Sequence, residues 1–316
     1  MSIETKFILF QVLIILPFII GTLLKDKIRD REKTAQSLIK KNLTFLEPWI
    51  VIWSIWGLTL NREMIILPVS GLILVILGFL AGIILLPIIK PQGLSKPTYL
   101  ISSSLANHGF TMGGFICYIF MGERGLGLAS IFITYFMFYT YLVIFTYSAR
   151  VSGSQTEPFF TLRNMRALFL NTRNMPLYAA FIGVAVNIGG IQRPDINFPF
   201  DYLLMVSVAL YYFTLGINFF FKSVFPVRRE HITLAVSKFV LIPFIAFLLL
   251  SVTGISGDIK TIIIIQSFMP AAIYSVVASV LFNLDTRLAS SLFFVNTIIF
   301  IVIVLPLLFA FYGGIL

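Results

Sequence analysis

Apolar runs of about twenty residues recur along this chain between short polar breaks, and few folds tolerate that pattern. Inside a bilayer every backbone N–H and C=O has to be satisfied within the protein, which leaves the α-helix as the spanning element for runs of this length. Ten spans can be marked, at 7–24, 44–60, 64–89, 98–121, 125–147, 176–191, 200–221, 231–253, 259–282 and 288–312. Only 11% of the 316 residues are charged, against about 25% in a soluble domain, and mean hydropathy is +0.99. The expected fold class is an all-α membrane protein with ten transmembrane helices. No connection is longer than 148–175, so one membrane domain over 1–316 is expected and no separate soluble one. The first run ends at Lys25-Asp26-Lys27 without a small-residue cleavage pattern and reads as a retained helix, not a signal peptide.

The basic residues orient the spans. The loops after the first, third, fifth, seventh and ninth spans hold 17 of the 23 Lys and Arg. The N-terminus and the intervening loops hold five, counting Lys260 at the very start of the ninth span, and Lys238 lies within a span. By the positive-inside rule both termini lie outside the cytoplasm, in a multi-pass protein of the plasma or inner membrane. The net charge of +10 is thus an orientation signal facing the lipid bilayer, and no nucleic-acid partner is implied. With one cysteine, Cys117, and two histidines, His108 and His231, neither an intramolecular disulfide nor a metal centre is expected. No cofactor is implied, and a homodimer is left open.

Two spans contain helix breakers. Asn107, His108, Gly109, Gly113 and Gly114 crowd the middle of 98–121. Each Gly weakens a helix by about 1 kcal/mol relative to Ala, and irregular backbone at membrane depth survives only where protein or a watery cavity meets it. In the ninth span Pro270 follows the apolar stretch 259–269; its missing N–H and its ring open the helix just before it. The two breaks are related by an internal repeat. Aligning Leu126, in Gly122-Glu123-Arg124-Gly125-Leu126, with Leu288, in Leu284-Asp285-Thr286-Arg287-Leu288, sets Asn107-His108 opposite Met269-Pro270. Trp56-Gly57-Leu58 and Leu215-Gly216-Ile217 match at a nearby offset. Because five is odd, two five-helix halves, about 7–147 and 176–312 around a cytoplasmic linker at 148–175, must be inverted relative to each other. That is a transporter plan, with the site at the breaks. Helix N-terminal ends exposed there favour an anion.

Few groups at membrane depth carry chemistry. Lys238 is expected either to attract an anion, to donate to the carbonyls of the broken helices, or to snorkel towards the interface. His108 is either a coupling-proton carrier or a buried neutral imidazole with two hydrogen bonds. Glu47 and Asp201 open their helices as interfacial residues, and Glu123 and Asp285 are expected to pair with Arg124 and Arg287. No Asp or Glu falls near the middle of an expected span, which argues against cation binding on buried carboxylates and against an enzyme. Ser102, Ser103 and Ser104 have only His108 as a nearby base. The polar stripe Tyr211, Tyr212, Thr214, Gly216, Asn218 is read as a packing face or a pore-facing one. The candidate substrate-binding set is Asn107, His108, Gly113, Gly114, Met269, Pro270, Tyr274 and Lys238.

These motifs resemble the auxin efflux carrier family, which includes plant PIN-type exporters and bacterial permeases for small dicarboxylates. The likeness is carried by Ser104-Leu105-Ala106-Asn107 through Met112-Gly113-Gly114, by Asn174-Met175-Pro176 with Gly183 and Asn187, by Phe213-Thr214-Leu215-Gly216, by Lys238 with Pro243, and by Met269-Pro270-Ala271-Ala272 with Asp285. The resemblance implies a scaffold of helices one, two, six and seven, a moving transport domain, and a substrate carboxylate bound where helices four and nine cross. It implies a secondary carrier of a small organic anion, a carboxylate or an auxin-like one. Met175 between Asn and Pro, His108, and the lack of a Pro after Gly113 depart from the plant pattern, so auxin itself is not implied. A sodium-coupled bile-acid-type symporter and a ligand-binding membrane sensor without transport remain as alternatives.

Overall fold

A computed structural model describes residues 3–110, 112–153, 172–218 and 227–312. In chain order its helical segments are α1 (Ile3–Leu24), α2 (31–56), α3 (Ile66–Ile89), α4 (Ser95–Ser104), α5 (Gly113–Val151), α6 (Met175–Ile188), α7 (Phe200–Ile217), α8 (Arg229–Val252), α9 (Gly257–Ser267), α10 (Ile273–Leu281) and α11 (Thr286–Phe311). The protein is all-helical, and five helices among the described residues are long and apolar enough to cross a membrane. Most of the 148–175 connection lies outside the described residues. The basic stretch after α1, read from sequence as a loop, instead forms Arg31–Lys41, capped by Asp30 accepting from the Lys33 N–H at 3.0 Å. It runs on into the next span.

Among the described residues four helices contain a π-turn, at Asn42–Leu46, Thr140–Phe145, Ser237–Leu241 and Phe300–Val304. Three of these end two residues before a proline: Pro48, Pro243 and Pro306. Proline has no N–H to give, and its ring clashes with the carbonyl four residues back. Widening the preceding turn removes that clash without ending the helix. The prolines thus decide where Asn42 and Lys238 fall on their helices.

The chain forms two compact units from interleaved segments. The first takes 1–64, 114–131 and 167–220. In it α1 lies along α7, where a side chain at Gly216 would run into the Phe18 carbonyl, and Thr22 Oγ1 donates to the Phe18 and Gly216 carbonyls at 2.9 and 3.3 Å. Small residues let membrane helices approach this closely, so the stripe on α7 packs against a neighbour at Gly216. Asn187 of α6 donates to the carbonyls of Ile55, Trp56 and Leu58 at 3.1, 3.0 and 2.6 Å, satisfying the end of α2 where the helix leaves acceptors open.

The second unit takes 65–113, 132–166 and 221–316. There α3 packs on α4 through Gly78, where a side chain would meet the Ser103 carbonyl. Ser103 Oγ donates to Gly78 O at 2.7 Å and Ser104 Oγ to Val75 O at 2.9 Å. Ser103 and Ser104 at the end of α4 therefore tie two helices together. Leu85, Ile89, Tyr99, Leu234, Ala271, Leu288 and Leu292 form an apolar core in this unit.

Candidate functional site

Helix α4 stops at Ser104 and helical backbone resumes at Gly113. Helix α9 stops at Ser267 and α10 begins at Ile273. The two non-helical stretches meet in an antiparallel bridge between Ala106 and Ala271. Asn107 N donates to Pro270 O at 2.7 Å, and Ala272 N donates to Leu105 O at 3.1 Å. Backbone groups that neither helix satisfies are thus satisfied by the other stretch, which is the requirement for irregular backbone away from water.

Each stretch is pinned in its own way. In the first, Asn107 O accepts from Gly113 N at 3.0 Å, closing a loop over five intervening residues. His108 is buried, its Nδ1 2.5 Å from the Tyr135 hydroxyl and its ring edge-on to Phe132 at 5.2 Å. Gln266 Nε2 donates to His108 O at 3.3 Å. A Cβ on Gly113 would run into the Gln266 side chain and come within 2.8 Å of His108 O, so close approach requires glycine here. Gly114 beside it is buried. In the second stretch Met269 is fully buried and its N–H reaches Gln266 O at 3.2 Å. Ala271 N donates to Asn296 Oδ1 at 2.9 Å. Tyr274, in the first turn of α10, is half-buried, its ring 5.3 Å from Phe136 in an edge contact.

Lys238 is 1% exposed, and its Nζ donates to Ser104 O at 3.2 Å. It therefore does not snorkel. A cation at the last carbonyls of a helix is favoured by the helix dipole, and the π-turn around Lys238 sets it there. Ser104 Oγ also lies 2.8 Å from Tyr139 OH. The bridge thus brings Asn107, Met269 and Pro270 together, while His108, Gly113 and Lys238 hold its surroundings.

Three expectations about carboxylates are corrected. Glu47 is buried at 3% exposure and accepts from the Tyr211 hydroxyl, because the Asn42–Leu46 π-turn continues α2 beyond it on the N-terminal side; it is not an exposed helix start. Glu123 pairs with Arg193, whose guanidinium lies 4.7 Å over the Trp53 ring, and not with Arg124. Asp285 does not pair with Arg287: it caps α11 through Leu288 N at 3.0 Å and accepts from Ser95 Oγ at 2.7 Å. Asp201, the other helix-opening acid, accepts from Tyr118 OH at 2.5 Å.

Sequence reading missed Tyr135, Gln266 and Asn296. A faint signal existed for the last two, each a lone amide in an otherwise apolar run. A family model described as membrane transport protein matches residues 7–308 of the chain. No curated protein matches it.

Proposed function

Since the chain belongs to the membrane transport protein family, the auxin efflux carrier-like family that its motifs resemble, we propose that it is a secondary carrier of a small organic anion working by alternating access. The family and the apolar helices make it a multi-pass membrane transporter. The proposed plan is ten transmembrane helices in two inverted five-helix repeats, both termini outside the cytoplasm; one broken helix is α4 with the part of α5 before the non-helical Gly122, the rest of α5 is the fifth helix, and α9–α10 is the other broken helix.

The observation that carries this reading is the Ala106–Ala271 bridge, where two interrupted helices meet. Helices α5 and α10 both start beside it, and their N-terminal ends bring partial positive charge to the same place. Lys238 adds a buried amino group, a hydrogen-bond donor, at the end of α4. Among the described residues of this unit no carboxylate is buried. Local charge therefore favours an anion over a cation. The repeat finds support in the backbone: Gly122 and Asn283 both take positive φ, at 62° and 50°, just before the helical stretches that the sequence alignment pairs. The helices expected to form a scaffold, α1, α2, α6 and α7, fall in one compact unit, joined there by 114–131.

Glu47 favours a second reading, a sodium-coupled symporter, because it is the one buried carboxylate among the described residues. A screen of purified protein against acetate, succinate and benzoate, by ligand-induced thermal shift and then transport in liposomes, tests both. Binding of a carboxylate is expected, with affinity changed by less than about tenfold, 1.4 kcal/mol, when choline replaces sodium. A larger loss would move the assignment to the sodium-coupled carrier, and the absence of any carboxylate binding would refute the anion reading.

A further inference from the structure

In the second helix interruption nearly every amide hydrogen is spent within the backbone. Phe268 N and Met269 N turn back onto α9 at Ile265 O and Gln266 O, Pro270 has none, and Ala272 N goes to Leu105 O. The Ala271 N–H points the other way and is taken by a side chain, Asn296 Oδ1. Only an acceptor can meet an N–H, so this bond also fixes which way the Asn296 amide is turned. Its Nδ2, with two donor hydrogens, faces away from Ala271. Asn296 is 1% exposed, and Nδ2 has no hydrogen-bond partner among the described residues. The hydroxyl of the next residue, Thr297, is also buried and has no hydrogen-bond partner among the described residues.

A buried donor left unmade is costly, and native structures rarely keep one without a use. Its partner must be an acceptor. An amide N–H repels a cation, and α10 begins at Ile273, two residues beyond the bonded Ala271, with the positive end of its dipole. We propose that Asn296 is a substrate-binding residue: Oδ1 holds the Ala271 N–H while Nδ2 donates to the carboxylate of the carried anion. This rests on the organic-anion reading above. One side chain thereby couples the shape of the interruption to occupancy of the site.

The test uses the full-length protein and thermal-shift or calorimetric titration with acetate, succinate and benzoate. Asn296→Asp keeps the shape and the acceptor for Ala271 but replaces the donor by an oxygen. It should leave the ligand-free midpoint close to wild type and weaken carboxylate binding about tenfold or more. Asn296→Ser, neutral and smaller, covers the case in which a buried Asp prevents folding, and it too should lose about tenfold. Asn107→Ala runs beside them as the control for the site itself. Wild-type affinity in both Asn296 variants, with loss in Asn107→Ala, would make Asn296 a structural pin whose Nδ2 a trapped water serves, overturning this proposal alone. Failure of both Asn296 variants to fold would also overturn it, as the mark of a fold residue. If the wild type binds none of the three carboxylates, the organic-anion reading falls, and this proposal with it.

Discussion

The two helix interruptions of the second unit do the same geometric job with different chemistry. The first, between α4 and α5, is opened by small residues: Gly113 lets backbone and the Gln266 side chain press together, and His108 and Asn107 fold the loop back on itself. The second, between α9 and α10, is opened by Pro270 and held by one bond from Asn296. Glycine permits a bend that other contacts must then impose, whereas proline imposes one through its missing donor and its ring. The first interruption therefore depends on packing around it and should be sensitive to volume. The second carries its own breaker and should be sensitive mainly in what it presents to a ligand.

The largest expected effect breaks this comparison if it fails. Gly113→Ala forces a Cβ within 2.8 Å of the His108 carbonyl, and overpacking of this kind costs about 1–3 kcal/mol. A clear fall in the ligand-free thermal midpoint is expected, larger than for Pro270→Ala. Equal midpoints in the two variants would show that both interruptions are held alike.

Next comes Asn107→Ala. Both backbone bonds of residue 107, to Pro270 O and from Gly113 N, survive the change, so the bridge keeps its backbone and the ligand-free midpoint should fall less than in Gly113→Ala. Loss of a charge-assisted hydrogen bond to a carboxylate is worth about 1.5–3 kcal/mol, hence carboxylate affinity should fall about tenfold or more. Normal binding and transport by this variant would make the bridge a structural kink and remove the site from it.

The smallest effect sharpens the division between holding and binding. Tyr135→Phe removes the hydroxyl at His108 Nδ1 and leaves a buried imidazole nitrogen without it. About 1 kcal/mol of stability should go, read as a modest midpoint shift, with carboxylate affinity unchanged. A parallel loss of affinity would place His108 on the ligand side of the site.

Much of this was legible in the residues because apolar length and helix breakers act locally. A run of twenty apolar residues is a helix in lipid whatever surrounds it, and Gly109, Gly113 and Pro270 weaken or open a helix wherever they stand. So the helical class and the places where α4 and α9 stop follow from the chain itself. Partner choice does not. Glu123 had Arg124 beside it and took Arg193, and Asp285 had Arg287 two positions on and took Ser95 and the start of α11. Glu47 looked like a helix start until the Asn42–Leu46 π-turn joined it to the helix before and Tyr211 covered it. Asn296 was one amide in an apolar run, and only packing set its Oδ1 on the Ala271 N–H and left Nδ2 buried. Sequence spacing orders what lies one or two turns apart on a helix, whereas a bond across 25 or 190 residues is decided by which helices the fold brings side by side.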